Sequence, residues 1–396
     1  MGRDHAIFPV LTRALAINKP KSLSSAQALR DLSKAFNRSE FFAPWFDTEK
    51  KRNWHQKKVP KRLRKQQVKI GHGGTLDPMA TGVLVVGLGM GTKELQNFLG
   101  CTKTYEATIL FGAATDTYDT LGKVLSKAPY AHITRQEVEK ALETFRGKIM
   151  QKPPLYSALH VQGKRLYEYA REGKEVPVDI ADRPVEVKEI QIIDWFPGGS
   201  HEYRWPEQEA EKEDRVVAEK VLHLDEILGT STEASSAEVK YETSTGKRKR
   251  SPHEVADSMP ESVHDSAPAA KRHETVSKPL MSGAIQNPGD VKAELTDFNK
   301  PRVRNDKATQ YDTEPIDNGP PAAKLRMTVT SGFYVRSLAH DLGKAVSSLG
   351  CMSELVRTRQ EKFEIGQNVL EMDDIDKGED IWAPKLKTML ENWARR

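Results

Sequence analysis

Cysteine is nearly missing from this chain of 396 residues, which has only Cys101 and Cys351. Two cysteines so far apart exclude a disulfide framework and a cysteine-rich zinc site, and they favour a reducing, intracellular compartment. Long apolar runs are also missing, because none approaches the roughly 18 residues of a membrane helix; we expect no membrane partner. Only 37% of the residues are hydrophobic and 30% are charged, so we expect some of the chain to be unfolded.

Positive charge, in contrast, is concentrated in one segment. Between Lys50 and Lys69 there are ten Lys or Arg residues and no Asp or Glu. Such a segment favours a polyanion as partner. We delimit a basic insertion at 38–67, which also contains the aromatic residues Phe41, Phe42, Trp45 and Trp54. Aromatic rings stack on the bases of looped RNA while cations meet its phosphates, although a solvated linker explains the segment equally well.

A second unusual segment runs from 201 to 321, where Glu, Lys, Ser, Thr and Pro dominate. This composition predicts a disordered, low-complexity insertion. It contains KRKR at 247–250, which is typical of a nuclear import signal or of solvated charge. The N-terminus carries Arg3 and Arg13 with one acid, a pattern that points weakly to organelle import. We therefore expect a nuclear protein, with mitochondria as a second destination.

The remaining residues form one predicted domain of the α+β class, in which helices flank a mixed central β-sheet. Ser24 or Ser25 caps a helix containing Leu29, Leu32 and Phe36 at helical spacing, and Thr134 and Glu137 form a capping box. The expected divisions are an N-terminal segment at 1–37, a core at 68–200, a C-terminal segment at 322–375 and a tail at 376–396.

Most of the distinctive chemistry lies at 71–93, GHGGTLDPMATGVLVVGLGMGTK. The apolar run 83–86 predicts a strand buried on both faces. The glycine-rich loop before it carries His72 and Asp77, so an imidazole and a carboxylate would lie at the edge of a rigid sheet. An ordinary turn with an Asp-Pro corner is an equally weighted alternative. The residues 87–93 match neither nucleotide-binding loop template.

Two further residues have ordinary explanations when taken alone. Tyr105 begins the apolar face of a half-buried strand, so core packing accounts for it. Arg336 stands at a junction between a strand and a helix, where a surface arginine is common.

Taken in order, however, several motifs resemble the TruB family of pseudouridine synthases, and most of all its eukaryotic tRNA pseudouridine-55 synthase branch. The matching segments are 18–20 (NKP), 71–82 (GHGGTLDPMATG), 91–93 (GTK), 103–105 (KTY), 115–117 (TDT), 154–159 (PLYSAL), 167–171 (YEYAR) and 331–337 (SGFYVRS). They span 14–36, 68–196 and 322–370, and the block from Gly71 to Pro78 is highly specific.

The resemblance implies the pseudouridine synthase fold and a stand-alone enzyme that isomerises the T-loop uridine of tRNA without cofactor or metal. Its implied partners are the tRNA T arm and T-loop-like hairpins in messenger RNA, and its implied state is a monomer. Asp77 corresponds to the nucleophile, and Arg336 to the cation that orients it and stabilises its charge. Tyr105 corresponds to the aromatic that stacks on the target base and is implicated in proton removal.

RNA-binding roles follow in the same way. His72 corresponds to the residue that helps to hold the target nucleotide out of its stack, a state that costs a few kcal/mol. Lys19 and Lys93 are expected to hold phosphates and Thr75 to shape the loop. The remaining implied RNA contacts are Tyr156, Tyr169 and Arg171.

The chain departs from the family pattern at two places. His160 stands where relatives often have lysine. About thirty residues follow the last core strand, too few for the PUA RNA-binding domain of many relatives, so we expect the basic insertion to grip tRNA instead. A catalytically silent RNA-folding protein and a guide-RNA-dependent synthase are the alternative functions; the intact Asp77, Tyr105 and Arg336 argue against the first, and the expected lack of a PUA domain against the second.

Overall fold

A mixed β-sheet of ten strands organises the protein, for which a computed structural model describes residues 14–48, 68–174, 176–211 and 319–394. All of these residues belong to one compact unit. The strands described are β1 (Ala14–Lys19), β2 (Ile70–His72), β3 (Thr81–Leu88), β4 (Lys103–Phe111), β5 (Ala113–Thr115), β6 (Val124–Lys127), β7 (Gly147–Gln151), β8 (His160–Val161), β9 (Lys164–Arg165), β10 (Arg183–Phe196), β11 (Ala322–Val329), β12 (Gly350–Gln360), β13 (Phe363–Glu364) and β14 (Leu370–Glu371).

The sheet runs in the order β14-β1-β3-β12-β4-β11-β10-β7, with β2 paired to β3 and β13 paired to β12. Strands β5 and β6 form a separate hairpin, as do β8 and β9. The α-helices described are α1 (Ser25–Arg38), α2 (Leu95–Gly100), α3 (Arg135–Leu142), α4 (Leu166–Arg171), α5 (Val335–Ala345), α6 (Met372–Asp376) and α7 (Glu379–Ala394). The expected α+β fold with a mixed sheet is confirmed.

The local predictions in the sheet and the first helices hold. Strand β3 is buried along nearly its whole length, and Ser24 caps α1 by accepting a hydrogen bond from the backbone N–H of Gln27. The capping box of Thr134 and Glu137 is present at the start of α3. Strand β12 is a long strand of the sheet, which pairs with β3 on one side and β4 on the other.

The segment expected as a C-terminal tail, 376–396, is ordered for most of its length. Helix α7 occupies it, and Trp382, Leu386 and Leu390 are buried at a spacing of four residues, which is the period of a helix packed on a core. The ring of Trp382 lies 5.3 Å from Phe36, and 6.3 Å from Phe42.

The same packing changes the interpretation of the basic insertion. Phe42 and Trp45 are buried, and Phe41 packs against the same core, so these rings are not free to stack on RNA. Their prediction as base-stacking residues is wrong, because sequence alone did not show that the three rings would be packed against the core or that α7 would lie against Phe41 and Phe42. Trp54 and the residues 49–67 lie outside the described residues.

The start of the predicted disordered insertion, residue 201, is placed too early in the sequence. Residues 201–211 are described, and the indole N–H of Trp205 donates to the carbonyl oxygen of Phe111 at 3.0 Å. Residues 212–318, with the proposed import signal at 247–250, lie outside the described ranges. Within those ranges, no helix is long and apolar enough to span a membrane.

Candidate active site

Asp77 and Arg336 meet at one site although they are 259 positions apart in sequence. Asp77 lies in the loop between β2 and β3, and Arg336 lies in the first turn of α5. The Nε of Arg336 donates to Oδ2 of Asp77 at 2.8 Å, and its Nη2 donates to Oδ1 at 3.2 Å. This two-pronged arrangement fixes the carboxylate in orientation as well as in charge.

The remaining hydrogen bonds of Arg336 go to the protein backbone. Nη1 donates to the carbonyl oxygen of Thr117 at 3.0 Å, and Nη2 also donates to that of Tyr156 at 2.9 Å. The arginine is only 6% exposed, whereas the side chain of Asp77 is 32% exposed. A buried cation with four of its five N–H groups hydrogen-bonded therefore holds a carboxylate that a substrate can still reach.

Asp119 is a third ionisable group at this site, and sequence reasoning missed it. Its Oδ2 lies 3.8 Å from Nε of Arg336, and its Oδ1 accepts hydrogen bonds from Oγ1 of Thr117 at 2.7 Å and the backbone N–H of Leu121 at 3.0 Å. Burial raises the pKa of Asp119. Its position two residues after the TDT motif at 115–117 was the available signal.

Lys19 does not take the expected phosphate-binding role. It is fully buried, and its ammonium donates to the carbonyl oxygens of Pro20 at 2.9 Å, Leu23 at 2.7 Å and Pro78 at 3.3 Å. An ammonium has three donors, so none remains for a phosphate. Burial lowers the pKa of Lys19 to about 8, against the attraction of Asp77, which raises it. The lysine thus ties the loop after Asp77 to the end of β1.

Other buried side chains hold the loop before Asp77, and no sequence pattern pointed to them. Oγ of Ser25 accepts from the N–H of Leu76 at 2.9 Å and donates to its carbonyl oxygen at 3.0 Å. Nη2 of Arg357 donates to the carbonyl oxygen of Gly74 at 3.1 Å. These bonds attach the loop to the rigid sheet and so help to fix the position of the Asp77 carboxylate.

Gln360 supports the same loop one residue earlier. Its side-chain amide donates to the carbonyl oxygen of Gly73 at 2.6 Å and to that of Phe98 at 2.9 Å. The bond to Phe98 ties the loop to α2. Strand β12, through Arg357 and Gln360, therefore supplies two of the loop's anchors.

Tyr105 lies on β4, and His72 lies on β2, the strand that leads into this loop. Tyr105, on β4, is 8% exposed, packs in the main core and pairs with Arg357 across the sheet. His72, on β2, pairs with Val86, and its Nδ1 is buried without a hydrogen-bond partner. Burial, and after it the charge of Arg357, lowers the pKa of His72, so the imidazole is neutral. Their roles on the target nucleotide stay predictions.

The other predicted RNA contacts lie on separate elements. Thr75 is exposed in the Asp77 loop, and Lys93 is exposed at the end of the 3₁₀ turn Gly89–Lys93. Tyr156 reaches the site through its carbonyl group. Their side-chain contacts with RNA stay predictions.

Tyr169 and Arg171 lie on α4, which forms a small unit with β8 and β9. The hydroxyl of Tyr169 donates to the carbonyl oxygen of Val161 at 3.1 Å, and Nζ of Lys164 lies 4.9 Å from the Tyr169 ring centre. His160, in β8, is exposed. Among the residues that the structure describes, no group of three or more His, Cys, Asp or Glu side chains is placed to hold a metal ion.

Comparisons with known proteins agree with the motifs. Residues 61–204 match the family model described as TruB family pseudouridylate synthase (N terminal domain). The chain is 40% identical over 356 residues to tRNA pseudouridine synthase 4 of Schizosaccharomyces pombe, an alignment that covers 88% of this chain and 78% of that protein. It is 32% identical over 393 residues to tRNA pseudouridine synthase 4 of Saccharomyces cerevisiae, covering 96% and 85%.

Among solved structures, a chain from a Cbf5-Nop10-Gar1 complex superposes with a TM-score of 0.44 at 16% identity, covering 97% of this chain and 61% of that one.

Proposed function

The chain belongs to the TruB family of pseudouridine synthases, and on this premise we propose that it is a stand-alone tRNA pseudouridine synthase that isomerises the T-loop uridine at position 55. The observation that carries the proposal is the pair of hydrogen bonds that holds Asp77 against a buried Arg336 while leaving the carboxylate accessible. A nucleophile needs both its charge and an open edge.

In the proposed reaction, the carboxylate of Asp77 attacks the base or the sugar of the extruded uridine. A bond to Asp77 forms, and the bond between N1 of the base and C1′ of the sugar breaks. The base then rotates, a bond forms between C5 and C1′, and the bond to Asp77 breaks, which frees the carboxylate. The hydrogen on C5 leaves as a proton, and N1 carries a proton in the product. Atoms balance without an oxidant or reductant. Arg336 keeps the attacking oxygens in place throughout these steps.

Two residues have proposed roles around the base. Tyr105 would stack on the rotating base and assist removal of the C5 proton, which its place on β4 beside Arg357 supports. His72, neutral and with an unpaired ring nitrogen, would occupy the space that the extruded uridine leaves.

Tritium release from a T-arm hairpin labelled at uracil C5 tests the activity, because only the isomerisation replaces that C–H bond. The wild type should release tritium, and Asp77→Asn, which keeps the size of the side chain and removes its charge, should release none. Asp31→Asn, on the solvent side of α1, is the matched control and should behave like the wild type. Binding without release by the wild type would instead support the RNA-folding or the guide-dependent alternative.

We also propose T-loop-like hairpins in messenger RNA as further substrates, a monomeric state, and a nuclear location with mitochondria as a second destination. The KRKR sequence at 247–250 supports nuclear import. Substituting these four residues with Ala in a fluorescently tagged chain should move the protein out of the nucleus; unchanged nuclear signal would contradict this signal's role.

A further inference from the structure

Leu121 has the most exposed large apolar side chain of the residues that the structure describes. It is 64% exposed, although leucine is usually buried. A lone exposed leucine is common on protein surfaces. Its position, however, is not an ordinary one, because it follows Asp119 in the loop that contacts Arg336.

Three contacts join Leu121 to the nucleophile. The backbone N–H of Leu121 donates to Oδ1 of Asp119 at 3.0 Å, and Oδ2 of Asp119 lies 3.8 Å from Nε of Arg336. The same Nε donates to Asp77 at 2.8 Å. In addition, Nη1 of Arg336 donates to the carbonyl oxygen of Thr117 in this loop. Leu121 therefore stands at the rim of the active site.

The loop that presents Leu121 is held from several sides. Tyr118 adopts a left-handed backbone conformation, with φ of 63°, and its ring stacks on buried His340 at 4.2 Å. The N–H of Thr120 donates to the carbonyl oxygen of Met352 at 3.0 Å, and the N–H of Met352 donates to that of Tyr118 at 2.9 Å. Backbone strain of this kind persists only where the surroundings enforce it, and it concentrates at functional sites.

Gly122 closes the loop tightly behind Leu121. A Cβ atom at Gly122 would clash with Oδ1 of Asp116, so no larger residue fits without rearrangement. The loop therefore presents Leu121 from a rigid backbone, while the side chain itself gains almost nothing from burial in the free protein.

We propose that Leu121 is a positioning residue that packs on the face of a base next to the extruded uridine. Extruding a nucleotide unstacks its neighbours, and proteins often cover such freed base faces with an apolar side chain. RNA binding would bury the exposed leucine and recover apolar surface from water. This inference rests on the proposed function, since it places an extruded uridine at Asp77.

The test is a double-mutant cycle, in which the protein and the RNA are each changed separately and then together. The dissociation constant of the T-arm hairpin is measured for wild type and Leu121→Ala. The same two proteins are then measured on hairpins in which each nucleotide beside the target uridine is replaced, one at a time, by an abasic residue. Ile381→Ala, a 39% exposed aliphatic position on α7, is the matched control.

We expect Leu121→Ala to weaken binding of the intact hairpin about tenfold, in proportion to the apolar surface lost. On one of the two abasic hairpins the wild type should lose affinity by a similar factor, and Leu121→Ala should cause little further loss, because the contact is already gone. KM should rise with little change in kcat. Leu121→Met should restore most of the affinity, and Ile381→Ala should match the wild type.

Equal affinity of Leu121→Ala and wild type for the intact hairpin would overturn the inference, as would an undiminished tenfold effect on both abasic hairpins. The binding measurement needs no turnover, so the two proposals can fail separately. Wild-type binding that depends on Leu121 but releases no tritium would reject the proposed enzyme alone. Tritium release by the wild type, together with equal affinity of Leu121→Ala and wild type for the intact hairpin, would reject this inference alone.

Discussion

The guanidinium of Arg336 grips both carboxylate oxygens of Asp77, at 2.8 and 3.2 Å, while two backbone carbonyls hold its far side. The carboxylate of Asp77 is thus positioned by a residue whose own position depends on the loops of Thr117 and Tyr156. Charge alone does not reproduce this arrangement, because only a planar, forked cation reaches all four acceptors at once.

Arg336→Lys should therefore lower kcat about a hundredfold or more, because an ammonium keeps the charge but lets the carboxylate shift by an ångström or so. Tritium release under saturating RNA measures the effect, and circular dichroism at the assay temperature confirms folding. Arg326→Lys is the matched control, since Arg326 makes an exposed pair with Glu106. A kcat within threefold of the wild type would show that charge suffices.

Lys19 should make stability depend on pH in a recognisable way. Its pKa is lowered from 10.5 to about 8 in the folded protein. Between these values the unfolded chain holds the proton and the folded protein does not, so the free energy of unfolding rises with pH. We therefore compare the free energy of unfolding of the wild type with that of Lys19→Met. The value for wild type minus the value for the variant should increase by about 1–2 kcal/mol from pH 7.5 to pH 9.5.

Urea denaturation at the two pH values measures this difference. Groups that titrate in both proteins cancel in the comparison, which isolates Lys19. A wild-type-minus-variant difference that stays constant with pH would mean that the folded protein keeps the lysine charged across the range.

Short-range patterns predicted much of the fold and the centre of the site. The apolar run of β3 and the cap of α1 are local features, and their periodicity or spacing is visible in the sequence. Asp77 was identified because its surrounding motif is contiguous. Arg336 needed the family resemblance, because nothing local distinguishes it from a surface arginine.

The residues whose surroundings the sequence did not predict share one physical reason. The burial of Lys19 and the packing of Phe42 depend on segments far away in sequence, the loop at Pro78 and helix α7. Asp119 likewise belongs to the site only because Arg336, far away in sequence, lies beside it. Burial and partners of this kind are set by tertiary contacts, which composition and periodicity do not encode.

The role of the basic insertion (38–67) in gripping tRNA stays a prediction, and the buried residues in its first part decide how that role is tested. Deleting 40–66 would remove Phe42 and Trp45 from the core, so substitution is the better experiment. Neutralising Lys57, Lys58 and Lys61 to Gln should reduce the slope of log affinity against log salt by about 2 if all three meet phosphates.

A matched control neutralises three exposed lysines on other elements, Lys140, Lys188 and Lys387. This control should leave the slope close to that of the wild type. Equal slopes for the two triple variants would remove the basic segment from the RNA-binding surface and favour the solvated-linker explanation.

Gly82 should be irreplaceable for two reasons that act together. Its φ is +103°, which L side chains rarely adopt, and a Cβ atom there would clash with the carbonyl oxygen of Arg357. Gly82→Ala would push β12 away from β3 and loosen the bond from Arg357 to Gly74. We expect it to lower the free energy of unfolding by about 3 kcal/mol or more, and to reduce tritium release even where the variant is folded.

Gly100→Ala provides the comparison, because no atom lies within 4 Å of a Cβ built there. Its free energy of unfolding should stay within about 1 kcal/mol of the wild type. Urea denaturation of both variants decides the matter. If Gly82→Ala were as stable as Gly100→Ala, β12 would be free to move away from β3, and the support that Arg357 gives the Asp77 loop would not depend on this close approach.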